Sequence, residues 1–188
     1  MNARDDILAN IRARKRASAT PELYRAPFAA DDLVAAFTAK AQAVNAEVRI
    51  VAEADIAATV AEILRAHNRA ARVHLPPESD VDLPIEILRT PPGPDDTAVT
   101  RVSAAIAETG TLVQLARPAS PASWHFRPGF EIAILHANDI VARFEDIKLD
   151  PLPPTVNLIT GPSRTGDIEQ TLELGAHGPK ELAILIVS

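Results

Sequence analysis

Apolar positions fall into two rhythms along this chain. Near the start they recur at helical spacing: Ile7, Leu8 and Ile11 within Asp6 to Arg16, then Leu33, Phe37 and Val44 within Asp31 to Val44. Each set predicts an amphipathic helix. The first closes on Arg12, Arg14, Lys15 and Arg16, where cations complement the helix dipole. A proline-bounded linker, Thr20 to Pro27, joins the two helices. From Glu47 onward short branched runs alternate with helical stretches. Val48 to Val51 reads as a strand, and Asp55 caps a helix with Ile56, Val60, Ile63 and His67 on one face. Arg72 to Leu75 is a second strand, and Pro84 to Leu88 a third. Such alternation predicts βαβ units and a mainly parallel sheet.

The pattern then shortens. Pro91 to Asp96 is a loop, and Ala104 to Glu108 and Thr111 to Ala116 are apolar runs joined at Thr109-Gly110, a hairpin or a sharp bend. Pro118 to Arg127 is irregular and holds Trp124 and His125. Glu131 to His136 predicts a strand, Asp139 caps a helix with Ile140, Phe144 and Ile147, and Val156 to Thr160 is a strand. Asp167, with Gln170 three residues on, predicts a capped helix that Gly175 to Pro179 would end. Leu182 to Val187 is apolar at every position and so belongs inside the sheet. The expectation is a single α/β domain, residues 47–188, with an N-terminal helical segment over residues 1–46.

Composition narrows the function classes. With 47% hydrophobic and 23% charged residues the chain has globular proportions, and a net charge of −6 argues against nucleic-acid or anionic-membrane binding. Arg12 to Arg16 could form a basic arm, although a solvated helix face is the plainer reading. No apolar stretch reaches the roughly 18–20 residues that span a bilayer, and Met1 to Asp6 is no signal peptide, so a cytoplasmic location is the default. With no cysteine, the chain can hold neither a disulfide nor a cysteine-ligated iron–sulfur cluster.

The candidate chemistry sits in two places. Gly161-Pro162-Ser163-Arg164-Thr165-Gly166-Asp167 lies between a predicted strand and a predicted helix, where unpaired amides favour an anion. Its glycine spacing matches the start of a phosphate-binding loop. Asp167 stands where lysine should follow, which disfavours a triphosphate. Arg164 could grip a carboxylate or a single phosphate in bidentate fashion, while Asp167 either orients the loop or merely caps its helix. Glu108, beside Thr109, Gly110 and Thr111, is either a general base or nucleophile or an exposed turn residue. His177 lies between small residues, an open place for a titrating group or a structural one. The remaining histidines, His67, His74, His125 and His136, show no ligand spacing, and no metal motif is present.

Taken in order, Ala105 to Val113, then Thr160 to Glu169, then Gly175-Ala176-His177-Gly178-Pro179 resemble the LUD-domain family, in its lactate-utilisation protein C branch. The resemblance spans roughly Glu47 to Ser188. It implies an α/β fold similar to the NagB/RpiA/CoA-transferase-like superfamily. It also implies a part in oxidising L-lactate to pyruvate beside iron–sulfur partner subunits, with no cofactor in this chain. A strand-end glutamate is the nucleophile of CoA-transferases of this fold, and Glu108 would hold that place by analogy. The Thr-Gly-Ala-Asp-like run of the family is replaced here by Thr100-Arg101-Val102-Ser103. Two readings follow. In one, Gly161, Ser163, Arg164, Thr165 and Asp167 bind a small anion together with Thr109, Gly110 and Thr111, and Glu108 and His177 flank it. In the other, the chain is an inert scaffold that docks the cluster-bearing subunits. Homo-oligomerisation stays open under both.

Overall fold

Six parallel strands carry the architecture, in the order Glu47–Val51, Glu181–Val187, Phe130–His136, Thr97–Arg101, Arg72–His74, Glu86–Leu88. This computed structural model describes residues 3–14, 27–118, 120–166, 172–174 and 177–188. In chain order the elements begin with α1 (Ala3–Arg14), α2 (Leu33–Ala43), β1 (Glu47–Val51), α3 (Ile56–Ala66), β2 (Arg72–His74), β3 (Glu86–Leu88) and β4 (Thr97–Arg101). They continue with β5 (Ala104–Ile106), β6 (Thr111–Leu115), α4 (Ser123–Phe126), β7 (Phe130–His136), β8 (Ile140–Val141) and β9 (Val156–Ile159). The last are β10 (Arg164–Gly166), β11 (Leu172–Leu174) and β12 (Glu181–Val187). A second sheet, β8-β5-β6-β9, shares no ladder with the first, and among the described residues β10 pairs with β11.

The strand period of two sorts each interior strand between two cores. On β12, Ala183, Leu185 and Val187 join α3 residues Ile56, Val60, Ile63 and Leu64 on one face. Leu182, Ile184 and Ile186 join Phe37 and Ala41 of α2, and Leu112 and Ile159 of the second sheet, on the other. Both faces are therefore covered, as a parallel sheet requires. The unbroken apolar run of β12 follows from that, and β12 sits inside the sheet as expected. The helix α2 is capped by Asp32, whose carboxylate accepts from the Ala35 N–H at 3.0 Å. It ends with Asn45 at φ 67° and the Ala46 N–H bonded back to Ala41, a left-handed C-terminal cap. By contrast α1 buries none of its residues. No described helix is long and apolar enough to cross a membrane.

Three expectations change. Thr97–Arg101, which follows the Pro91 to Asp96 loop and was assigned no element from sequence, is the interior strand β4, since its threonines suit a pleated surface as well as valine does. The helix expected after Asp139 is instead β8 with single 3-10 turns at Ala137–Asp139 and Phe144–Asp146. Ile140 is drawn into pairing beside β5, so tertiary contact overrides the helical spacing of Ile140, Phe144 and Ile147. The start of the helix expected from Asp167 lies outside the described residues, and where the chain is next described Leu172–Leu174 is extended and pairs antiparallel with Arg164–Gly166. The hairpin at Thr109-Gly110 is present as β5–β6.

At the amino ends of the strands His67 forms a clamp. Its Nδ1 lies 2.6 Å from Glu181 and its Nε2 2.8 Å from Glu47. Arg69 bonds the other Glu181 oxygen at 2.8 Å, and the imidazole leans on the Phe130 ring with centroids 4.6 Å apart. Partial burial opposes the imidazolium, but hydrogen bonds to the two carboxylates outweigh it and raise the His67 pKa above its ordinary 6.5. Burial likewise opposes ionisation of Glu47, yet His67 and Arg49 hold its pKa below the ordinary 4.5. The raised His67 contributes stability that is complete below pH 6.5 and lost as pH climbs through its folded pKa. The depressed Glu47 contributes stability complete above pH 4.5 and lost as pH falls through its folded pKa. Melting temperature should thus plateau between these two values and fall on either side. His67→Gln should abolish the alkaline decline, and an unchanged alkaline limb in that variant would refute the clamp.

Candidate functional site

The two motif blocks meet at the last turn of α2. Gly110, in the β5–β6 turn, has φ +68°, and a Cβ there would lie 2.5 Å from the backbone nitrogen of Ala41. Gly161, just after β9, has φ +72°, and its Cβ would lie 2.6 Å from the carbonyl oxygen of Val44. Both positions need glycine twice over, for the left-handed backbone and for the space. A line of hydroxyls ties the blocks across the strands. Thr109 and Thr111 share a hydrogen bond at 2.7 Å, and Thr111 and Thr160 share one at 2.8 Å. The pairing of Leu112 with Ile159 on adjacent strands sets this register.

Beside this contact opens a cleft of about 550 Å³. Gly161, Ser163, Arg164 and His177 are among its lining, together with Thr160, Val44 and the α4 residues His125 and Phe126. The His177 N–H donates to Ser163 Oγ at 3.3 Å, and the Ser163 N–H donates to the Pro179 carbonyl at 2.8 Å, so the second and third motif segments brace each other. His177 and Arg164 are exposed and Ser163 is half-buried. Thr165 belongs to β10, and Asp167 lies outside the described residues.

The sequence-based site is only partly assembled here. Gly161, Ser163, Arg164 and His177 come together, whereas Glu108 does not line the cleft. Glu108 is half-buried in the hairpin turn, its N–H donating to the Ala142 carbonyl at 3.1 Å. Thr109, Gly110 and Thr111 support the cleft from behind through Thr160 rather than facing it. The helix start at Asp167 that was to present amides to an anion lies outside the described residues; Arg164–Gly166 before it is extended and pairs with Leu172–Leu174. Among the described residues the Arg164 guanidinium brings positive charge to the cleft.

Two features were invisible in sequence. His125, which looked partnerless, sits fully buried with Nδ1 2.5 Å from Glu131 Oε1, and Thr100 Oγ1 donates to the same oxygen at 2.7 Å. The register explains the meeting: Ala98 pairs with Glu131 and Thr100 with Ala133, so Thr100 and Glu131 are diagonal neighbours on one face of β4 and β7. The single signal available was a charged residue, Glu131, opening a run that is otherwise apolar. At the carboxyl ends of the strands, the usual ligand edge of an open α/β sheet, lies a smaller cleft of about 330 Å³ that includes Arg101 and Gln114. There Arg101 is committed to Asp80 at 2.9 Å, His136 at 2.8 Å and Glu53 at 3.4 Å. Among the described residues no cluster of three or more His, Asp or Glu could hold a metal ion.

The LUD domain family model matches residues 94–187, half of the chain and every element from β4 to β12. The chain belongs to the LUD domain family. Among curated relatives, this LUD chain is 33% identical over 98 residues to an uncharacterised protein of Neisseria meningitidis serogroup B, covering 49% of this chain and 42% of that one. It is 37% identical over 92 residues to the lactate utilization protein C of Geobacillus kaustophilus, covering 44% of this chain and 38% of the relative. The matches thus span about two fifths of those relatives' length. A crystal structure of a DUF162 family protein from Deinococcus radiodurans superposes with TM-score 0.60 at 19% identity, over 83% of this chain and 96% of that one. That likeness extends the shared fold beyond the LUD match itself.

Substituting the glycines separates packing from hydroxyl bonding. Gly110→Ala should lose roughly 2–4 kcal/mol, from left-handed strain and overpacking together. Thr111→Val should lose only about 1–2 kcal/mol, the cost of one broken hydrogen-bond line. Urea unfolding measures both, and a neutral Gly110→Ala would contradict the close approach to α2.

Proposed function

We propose that this chain serves lactate utilisation by binding a small carboxylate in the cleft beside α2, with iron–sulfur proteins as its partners. The observation that carries the reading is the convergence of Arg164, Ser163 and His177 on one cleft of about 550 Å³. Several relatives with the matching segment bear the name lactate utilization protein C. The volume lies within the range of about 300–1,000 Å³ common for small-molecule sites. Arg164 supplies a charge-assisted, two-pronged grip on a carboxylate. Ser163, fixed by the Pro179 carbonyl and the His177 N–H, supplies a hydroxyl beside it. Because this chain has no cysteine, clusters for electron transfer would reside in the partners.

A scaffold role is the second reading, favoured by two apolar side chains in the wall of the same cleft. Phe126 is 40% exposed and Leu158 51% exposed, a surface suited to a protein partner. Titration calorimetry decides between them. The unmodified protein should bind L-lactate or pyruvate, and Arg164→Ala should weaken that binding by roughly ten- to a hundred-fold, the usual effect of losing a hydrogen-bonded charge. If neither acid binds, while Phe126→Ser and Leu158→Ser release co-purifying iron–sulfur subunits, the scaffold reading replaces the ligand reading.

A further inference from the structure

Three threonine hydroxyls stand in series from the hairpin turn to the cleft, and only the middle residue is buried. Thr111 Oγ1 lies 2.7 Å from Thr109 Oγ1 and 2.8 Å from Thr160 Oγ1, and Thr111 is 5% exposed. Thr160 is exposed and lines the cleft together with Arg164. Thr109 is exposed at the turn and forms no part of that lining. A hydroxyl has one proton and two lone pairs. Thr111 therefore donates to one neighbour and accepts from the other, since an unmatched proton in the interior is costly. That alternation forces one direction on the whole line. Running from Thr109 towards Thr160, it leaves a free proton on Thr160 Oγ1 at the cleft. Running the other way, it leaves only lone pairs there. Both ends are open to water, so neither direction strands a buried group, and what occupies the cleft selects between them.

We infer that Thr160 Oγ1 is a second anion-binding group of this cleft, with its proton turned towards a bound carboxylate by the line through Thr111 and Thr109. The inference rests on the ligand reading above and goes beyond it by naming the hydroxyl that shares the anion with Arg164. A negative ligand favours the direction that ends in a proton, and each hydrogen bond in the line polarises the next. Thr160 and Arg164 stand at the two ends of the segment Gly161-Pro162-Ser163, so the loop presents one donor from each side. Thr111 and Thr109 are positioning residues, since they act only through Thr160. The hairpin block thereby influences the ligand without touching it.

NMR titration with pyruvate tests this, because pyruvate carries acceptors alone and can bond Thr160 only as its donor. The unmodified protein should bind pyruvate. Thr160→Val keeps the branched shape without the hydroxyl and should weaken binding roughly five- to twentyfold. Thr160→Ser should stay within about twofold of the unmodified protein. Thr111→Val should weaken pyruvate about two- to fivefold by itself and change nothing further in a Thr160→Val background. That non-additivity separates a hydroxyl line from ordinary packing. Affinity unmoved by Thr160→Val, beside an Arg164→Ala that weakens it, overturns the inference and leaves the anion site standing. An equal effect of Thr111→Val in both backgrounds overturns it too, as does binding of L-lactate without pyruvate. If neither acid binds the unmodified protein, the inference and the ligand reading fall together. Should Thr111→Val not fold, the buried Thr111 hydroxyl proton decides: pyruvate must shift its resonance, and an unmoved resonance overturns the inference.

Discussion

Gly110 and Gly161 press their bare α-carbons against the last turn of α2, and the geometry of the whole cleft follows from that contact. The two glycines come from strands that lie side by side, β6 and β9, so one helix end holds both turns at once. The Asn45 cap turns the chain away immediately afterwards and feeds it into β1, whose residues begin to pair with β12 at once. Thus the helix end, the second sheet and the main sheet share one junction. Thr111, buried at that junction, bonds hydroxyls on either side, which fixes the height of β9 relative to the hairpin.

The position of this junction is instructive. It adjoins the amino ends of β1, β7 and β12, because Asn45, His125 and Pro179 all precede the strands they serve. Open parallel sheets usually collect ligands at the opposite edge. At that opposite edge the Arg101 guanidinium is already engaged by Asp80, His136 and Glu53. The second sheet supplies what the main sheet lacks at its amino edge: the carboxyl end of β9 runs straight into the motif loop, so Gly161 to Arg164 approach from β9 rather than from the large sheet.

Much of this was legible in the residues. The α3 face, the β1, β2, β7, β9 and β12 strands and the β5–β6 turn are written in local apolar period and in Thr109-Gly110. Buried faces impose that period directly. The elements that were misread or left unassigned are those where a neighbour decides. Thr97 to Arg101 carries only two apolar residues and becomes a strand because β2 and β7 flank it. Ile140, Phe144 and Ile147 have helical spacing, yet β5 captures Ile140 as an extended partner. The segment after Gly166 carries an acidic residue and a glutamine at capping distance, but Leu172–Leu174 pairs back onto Arg164–Gly166. For the candidate site, the glycines and Arg164 were visible as unusual composition, whereas the bond between His125 and Glu131 depends on the packing of α4 over β7, which no local pattern encodes.

The placement of β1 also bears on how the chain reaches its folded state. Its residues 47–51 find their hydrogen-bonding neighbours only at residues 183–187, with four other strands of the same sheet made in between. During synthesis β1 must therefore stay unpaired, with Val48 and Ile50 available for adventitious contacts, until nearly all of the remaining sheet has left the ribosome. Such distant closure slows folding and lengthens the exposure of a sticky edge. A nascent LUD chain of this topology thus has most to gain from chaperone shielding at its first strand.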